Sequence, residues 1–271
     1  MKAKDFEYNG RNLSDFGFVI CKFDSGGLDT VDGAEIEFNT VPSLNGLVHR
    51  KVSATYSSCL ETTMQICKYS CSSDIQEITA SEHREISRWL HRKGFYKLKF
   101  LDEEHIDLYY EASIVSIGRI ELDGKLYGLE LNIVTNSPFP RKEPRLIIID
   151  NKSQNGKHSI NDTSYEEGHI YPYTEITIGD IDDIIEENRI LNIYNAIENR
   201  TTEIKGVSTG EIITMDYPII QSSIPSHSIQ NDFNWEFFRI ANTYENSRND
   251  LTISIPCTIK IKYSPIVKVG L

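Results

Sequence analysis

Short extended segments follow one another along almost the whole chain, separated by turns rich in Gly, Asn or Pro. Residues 34–41 show the pattern well, because apolar Ile36 and Phe38 alternate with polar neighbours. Alternation with a period of two predicts a strand with one apolar and one polar face. Asn-Gly at residues 9–10 and Asp-Gly at residues 123–124 are typical of two-residue hairpin turns. The pattern limits the fold to antiparallel sheets arranged as sandwiches or barrels.

One segment departs from this pattern and predicts a helix over about residues 80–93. Thr79 and Glu82 have the spacing of a capping box, in which each side chain bonds the other residue's backbone N–H. Ile86, Trp89 and Leu90 follow with the i, i+3, i+4 spacing of one apolar helix face. We expect Gly94 to be the C-cap.

A proline-rich segment divides the chain into two halves of similar size. Residues 136–145 (NSPFPRKEPR) contain three prolines and predict a linker. We therefore expect two domains, residues 1–140 with the helix and residues 141–271. The predicted fold class is all-β with one α-helix.

Composition and charge exclude several classes of protein. The 271 residues are 39% hydrophobic and carry a net charge of −12, which is normal for a globular chain with a core. Each half carries −6, from 15 basic and 21 acidic residues in 1–140 and 13 and 19 in 141–271. Sequence-specific nucleic-acid binding needs clustered Lys and Arg, and no such cluster occurs. No apolar run has the length of a membrane span, and residues 1–8 do not resemble a secretory signal. We therefore expect a protein that is made and used in solution, without a membrane anchor.

The motifs that could carry chemistry are weak, and we predict no enzyme, cofactor or metal site. The five cysteines are Cys21, Cys59, Cys67, Cys71 and Cys257, and only one pair has the spacing of zinc ligands. Residues 206–210 match the G-x-S-x-G motif of hydrolases around Ser208. That motif requires a strand-to-helix turn, whereas strand-like segments flank it here and predict a β-hairpin.

Aromatic residues near the C-terminus leave one binding function open. Trp235 stands next to Phe237 and Phe238, and Tyr244 follows closely. Exposed aromatic rings stack on sugars, so Trp235 and Tyr244 are candidate sugar-stacking residues of a lectin-like β-sandwich protein. A buried face of a strand would produce the same pattern.

Several motifs occur in a distinctive order along the whole chain. They are FEYNG at residues 6–10, SDFG at 14–17, Trp89-Leu90 in the predicted helix, SPFP at 137–140, EGHIYP at 167–172 and IKIKYSP at 259–265. Their order resembles that of the distal tail proteins (Dit family) of bacteriophages with long non-contractile tails. The resemblance implies an N-terminal ring-forming domain of β-sandwich or split-barrel type and a C-terminal galectin-like β-sandwich.

The resemblance also implies a structural role in the virion. Six copies would form a ring at the distal end of the tail that joins the tail tube protein to the tail-tip protein. The C-terminal domains would hold receptor-binding or other baseplate proteins. DNA and the tape measure protein would pass through the central channel without sequence-specific binding. Assembly would take place in the cytoplasm of the bacterial host, and another tail-tube or baseplate adaptor is the alternative within the virion.

Two groups of residues are candidates for the ring itself. A ring of identical subunits needs a heterologous interface that closes by rotation, and a long hairpin can reach a neighbour by strand pairing. The candidate interface residues are Pro42, Leu44, Asn45, Gly46, Val48, His49 and Arg50. An acidic channel would not retain DNA. The candidate lumen acids are Glu35, Glu37, Asp102, Glu103 and Glu104.

Overall fold

A computed structural model describes residues 4–23, 35–43, 48–56, 59–69, 75–103 and 105–269. The chain separates into two compact units. Unit 1 contains Met1–Lys142 with Val267–Leu271, and unit 2 contains Glu143–Ile266. Both units are made almost entirely of antiparallel strands, with one main helix in unit 1, which confirms the predicted fold class.

Unit 1 is built from eleven described strands and one α-helix. The strands are β1 (Phe6–Tyr8), β2 (Arg11–Asn12), β3 (Phe18–Cys21), β4 (Ile36–Ser43), β5 (Val48–Tyr56), β6 (Glu61–Tyr69), β7 (Ile75–Gln76), β8 (Tyr96–Phe100), β9 (Leu108–Leu122), β10 (Lys125–Thr135) and β11 (Arg141–Lys142). The helix α1 is Ala80–Leu90, and Leu13–Phe16 form a 3-10 turn.

Most of these strands belong to one large sheet, in the order β2-β1-β8-β9-β10-β6-β3. The strand β11 pairs with β9, and β7 pairs with β6. Both predicted two-residue turns are confirmed, because Asn9, Gly10, Asp123 and Gly124 all have positive φ and join β1 to β2 and β9 to β10. Such φ values are what a tight hairpin of this kind requires.

Helix α1 packs on the sheet through the predicted apolar face. Ile86, Trp89 and Leu90 are buried. The Trp89 ring stacks on Phe6 and Phe16, and its indole N–H donates to the carbonyl of Tyr8 at 3.1 Å. The helix therefore fixes β1 and the 3-10 turn to the rest of unit 1.

The helix ends earlier than predicted. Its last residue is Leu90 and its C-cap is His91, whose N–H donates to the Ser87 carbonyl, so the prediction of Gly94 as the cap was wrong. Residues 91–95 are all exposed. Another helical turn there would bury no apolar surface, and the chain instead extends toward β8.

The predicted capping box is present and provides a test. Glu82 accepts hydrogen bonds from Lys68 Nζ at 2.6 Å and from the Thr79 N–H at 2.9 Å. Both contacts hold the pKa of Glu82 below its ordinary value, and the contact with Lys68 has the larger effect. A lowered pKa stabilises the fold above the unfolded value of about 4.3, and the contribution is lost as the pH falls through the folded pKa. Glutamine keeps the capping geometry but removes the charge and the ion pair with Lys68, so we expect Glu82→Gln to cost up to about 1 kcal/mol at pH 7. The difference from wild type should disappear in acid, as measured by urea unfolding.

The matched control is Glu85→Gln on the exposed side of the same helix. It removes the same charge without touching the cap. A loss of stability for Glu82→Gln that is equal at pH 7 and at acidic pH would contradict the stabilising role of the ionised Glu82 carboxylate.

Unit 2 is built from the remaining eleven described strands. They are β12 (Arg145–Asn151), β13 (Gly156–Asn161), β14 (Gly168–Ile170), β15 (Tyr173–Ile178), β16 (Ile190–Asn195), β17 (Arg200–Lys205), β18 (Ile212–Asp216), β19 (Ile219–Ser222), β20 (Ile240–Asn242), β21 (Arg248–Ile253) and β22 (Cys257–Tyr263). A single helical turn, α2, is Ile229–Asp232, and Glu186–Asn188 form a 3-10 turn.

Two sheets enclose the core of unit 2. One has the order β12-β22-β15-β18-β19 and the other β13-β21-β16-β17, while β14 and β20 form a separate ribbon. Alternate residues of both sheets, such as Ile176 and Ile259 in one and Leu191 and Ile253 in the other, meet in one buried apolar cluster. Unit 2 is therefore a β-sandwich.

The segment around the G-x-S-x-G motif is not the predicted hairpin. The preceding strand β17 pairs with β16, whereas the following strand β18 pairs with β15 and β19 in the other sheet. Residues 206–210 therefore cross from one sheet to the other. Local turn residues look alike in a hairpin and in a crossover, because only the strands' distant partners distinguish the two.

Candidate functional site

The strands β4 and β5 of unit 1 form a ribbon whose described side chains include none that is buried in the core. In the part of the chain that the structure describes, these strands pair only with each other, from Ile36–Tyr56 to Ser43–Val48, with an irregularity at Asn39–Thr40. All described side chains at residues 36–41 and 52–55 are exposed. The exposed apolar ones are Ile36 (54%), Phe38 (58%), Val41 (55%) and Val52 (67%). An isolated two-stranded ribbon is marginally stable in water, so this surface fits a partner.

The candidate interface residues lie at the far end of this ribbon. Backbone pairing joins Pro42 to His49 and Val41 to Arg50, and Val48 pairs with Ser43. Leu44, Asn45 and Gly46 lie outside the described residues. The candidate interface residues did not include the exposed apolar side chains at the other end of the ribbon, such as Ile36 and Phe38, although their alternation along β4 was visible in the sequence.

The candidate lumen acids occupy different settings. Glu35 and Glu37 are exposed at the start of the ribbon, and Glu103 is exposed in the loop before β9. Asp102 is half-buried, and its Oδ1 accepts from the His105 N–H at 2.8 Å and lies 2.7 Å from His105 Nδ1. Asp102 therefore stabilises its own loop. Glu104 lies outside the described residues.

Unit 2 contains a row of aromatic rings in which Tyr171, Tyr217 and Trp235 are exposed and Phe237 between them is buried. Tyr171 stacks on Tyr217, Tyr217 meets the edge of Phe237, and Phe237 contacts Trp235, with centroid separations of 4.4, 5.3 and 6.5 Å. Trp235 and Tyr217 are each 57% exposed. At the Tyr171 end, Arg239 donates to the Tyr171 hydroxyl at 3.1 Å. We call these four rings and Arg239 the aromatic row.

The loop that presents Trp235 is strained and tightly held. Trp235 has φ 61°, a left-handed conformation that bulky residues rarely adopt. The neighbouring Asn234 side chain accepts from the N–H groups of Glu203 and Glu236 and donates to the Thr201 carbonyl. These bonds offset the strain and keep the indole exposed. Strain of this kind is typical of sites where orientation matters.

The two candidate sugar-stacking residues lie at opposite ends of the β14–β20 ribbon. The aromatic row, which includes Trp235, reaches Tyr171 just beyond the Ile170–Ile240 pair. Tyr244 follows Asn242 at the other end, where Asn242 pairs with Gly168. Tyr244 instead shares a groove with Tyr165.

The G-x-S-x-G motif supports a buried polar cluster in unit 2. Glu211 is fully buried, and its Oε1 accepts from Ser222 Oγ and lies 2.5 Å from His227 Nδ1, while its Oε2 accepts from the Ser208 N–H at 3.0 Å. His227 Nε2 lies 3.0 Å from the Lys205 carbonyl oxygen. The histidine thus contacts the acid and the backbone, and no described contact joins it to the Ser208 hydroxyl, so the nucleophile arrangement is not formed.

The cysteines and acidic residues of the described part of the chain do not form a further site. No group of three or more His, Cys, Asp or Glu residues is arranged to hold a metal ion there. Cys21 and Cys67 lie on the paired strands β3 and β6, and their thiols are hydrogen-bonded; this bond and burial raise the pKa of Cys21. Cys71 lies outside the described residues. No described helix has the length and apolar character needed to span a membrane.

Comparison with protein families gives two matches that together span most of the chain. A family model described as "Phage tail protein N-terminal domain" matches residues 1–137. A second, described as "Phage tail C-terminal domain", matches residues 143–263. A comparison with curated protein sequences finds no match.

Comparison with solved structures finds the same fold in a phage protein. The crystal structure of the Dit protein of phage SPP1, described as a paradigm of the hub adsorption apparatus in phages that infect Gram-positive bacteria, aligns with a TM-score of 0.62 at 12% identity. The alignment covers 97% of this chain and 99% of that chain. The baseplate of phage P2 aligns with a TM-score of 0.44 at 10% identity, covering 97% and 98%.

Proposed function

Because the chain belongs to the family of phage tail proteins defined by these two domain models, we propose that it is the distal tail hub, six copies of which form a ring between the tail tube and the tail tip. It acts as a structural component of the virion rather than as an enzyme. The tail tube protein binds one side of the ring and the tail-tip protein binds the other.

The exposed β4–β5 ribbon carries this proposal. Its apolar side chains are exposed on both strands, and burial of a large apolar side chain contributes roughly 1.5–3 kcal/mol. Inserted against the neighbouring copy, each ribbon forms a heterologous contact that closes by rotation into a ring. The described candidate residues at its far end, Pro42, Val48, His49 and Arg50, extend this contact.

The acidic character of the chain supports a channel for DNA. Each half carries −6, and an acidic wall repels the phosphate backbone and so lets DNA and the tape measure protein pass. We propose that the exposed acids Glu35, Glu37 and Glu103 face the lumen. Asp102 contributes by stabilising the loop that carries Glu103.

The aromatic row supports attachment of a protein partner to unit 2. Trp, Tyr and Arg are the residues most enriched at the centres of protein interfaces. The row combines all three, and the tight loop around Trp235 removes most of the entropy cost of ordering the indole. We propose that a receptor-binding or other baseplate protein docks there.

The mass of the assembly tests the ring directly. Six copies of the 31.0 kDa chain (6 × 31.0) weigh about 186 kDa. We expect light scattering on the purified chain, mixed with its tail-tip partner if necessary, to give six copies per complex. Negative-stain images should show a ring with an open centre. A stable monomer or dimer that binds the partner one to one would contradict the proposal of a hexameric hub and would favour a role as another tail-tube or baseplate adaptor.

A further inference from the structure

A concave site of unit 2 lies apart from the aromatic row. It is a groove of about 540 Å³ between the segment after β13 and the turn that joins β20 to β21. Tyr165 and Tyr244, which are 55% and 68% exposed, both line it. Two exposed rings bordering one groove can contact the same small ligand.

Hydrogen bonds hold the floor of this groove in one arrangement. Asp162 is 5% exposed; its Oδ1 accepts from the Ser164 hydroxyl and its Oδ2 accepts from the Asn242 amide, both at 3.0 Å. The Asp162 N–H donates to the Ser247 carbonyl at 2.9 Å and thus joins the two segments. The groove is therefore formed before any ligand arrives.

The turn that carries Tyr244 is equally well defined. Thr243 and Asn246 exchange two backbone hydrogen bonds of 2.9 Å, which leaves Tyr244 and Glu245 at the tip of a two-residue loop. On the other side, the Tyr165 N–H donates to the Ile266 carbonyl at 2.8 Å. Both rings are held on ordered backbone, which reduces the entropy lost on binding.

The lining defines the chemistry of a ligand. Besides the two tyrosines, the described lining residues are Thr, Ser, Asn, Asp and Glu, with no aliphatic and no basic side chain. Carboxylates without a cation disfavour phosphate, sulfate or an acidic sugar. A protein partner would need large apolar side chains at the centre of the interface, and apart from the two tyrosines this groove offers only polar groups.

We propose that this groove binds a neutral carbohydrate. The tyrosine rings offer apolar faces to the C–H groups of a sugar ring, and the Tyr165 hydroxyl, the Asn246 side-chain NH₂ and the Glu245 carboxylate supply donors and acceptors for sugar hydroxyls. The site adds direct contact with a glycan surface to the proposed hub, and it does not depend on the ring.

The test is binding of the full chain to a printed array of neutral and acidic oligosaccharides. We expect neutral glycans to be bound, and Tyr165→Ala and Tyr244→Ala each to weaken that binding on the order of tenfold in a solution titration. Tyr173→Ala is the matched control, because Tyr173 is an exposed ring of the same unit that lies outside both the groove and the aromatic row, and it should leave binding unchanged. All three variants should keep the unfolding temperature of the wild type, since the rings are exposed.

Three results would overturn the proposal. The wild-type chain binds no neutral glycan, it binds acidic glycans only, or its binding survives both tyrosine substitutions. In the first case a protein partner becomes the better assignment for the groove. None of these results bears on the ring, whose mass is measured separately.

Discussion

Replacing Ile36 and Val52 together by aspartate is expected to abolish the ring and leave a folded monomer. Both side chains are more than half exposed in the single chain, so the charges cost its own fold little, within about 0.5 kcal/mol. In the ring they would be buried against the neighbouring copy. Each substitution would then remove roughly 1.5–3 kcal/mol of apolar burial and would also bury an unpaired carboxylate.

The measurement is native mass by light scattering, together with circular dichroism of the same sample. Ile185→Asp is the matched control, because Ile185 is 70% exposed and belongs to unit 2 rather than to the ribbon of unit 1. It should assemble as wild type does. A double aspartate variant that still forms rings of six would show that the ribbon is not the ring contact.

Replacing Glu211 by alanine is expected to be the most destabilising change in unit 2. Glu211 is fully buried and accepts from Ser222 and Ser208, and it faces His227, which is only 6% exposed. Its removal leaves the buried Nδ1 of His227 and the Ser208 N–H without their carboxylate partner, although His227 Nε2 keeps its contact with the Lys205 carbonyl. Breaking a buried pair in this way costs about 3–5 kcal/mol. Glu211→Gln, which keeps the shape and some of the hydrogen bonds, should cost less.

The position of the two tryptophans makes this measurement specific. The chain has two, Trp89 in unit 1 and Trp235 in unit 2, so Trp→Phe backgrounds report each unit separately during urea unfolding. The Glu211→Ala shift should be seen by Trp235 and not by Trp89. Asp250→Ala, which breaks an exposed ion pair with Arg248, is the control and should cost at most about 1 kcal/mol. An equal loss for both variants would refute a special role for the Glu211 cluster.

Local sequence signals predicted the local structure well. The capping box of Thr79 and Glu82, the apolar face of α1 and the turns at residues 9–10 and 123–124 are all present, because each depends on residues within one turn of each other. The likeness to phage tail proteins, which rests on the order of motifs along the chain, is confirmed by the family models, and the expected two-domain fold matches that of the SPP1 Dit protein.

Sequence reasoning was less successful where a site joins distant segments. It treated the region around Ser208 as a hairpin, whereas Glu211 there binds Ser222 and His227 in a crossover between sheets. It also grouped Trp235 with Tyr244, although the structure places Tyr244 beside Tyr165. Whether an aromatic residue is exposed or buried depends on its neighbours in space, which the local sequence does not give.

The sequence alone therefore determined the strand-rich class, the position and start of the one main helix, and the tight turns, because periodicity, caps and turn residues act over a few positions. The order of motifs along the chain determined the likeness to phage tail proteins. Only the tertiary structure decided which strands share a sheet, that β4 and β5 stand apart as an exposed ribbon, and that Tyr165 and Tyr244 border one groove. Strand pairing and side-chain burial depend on contacts between residues far apart in the chain, and these contacts exist only after the units have folded.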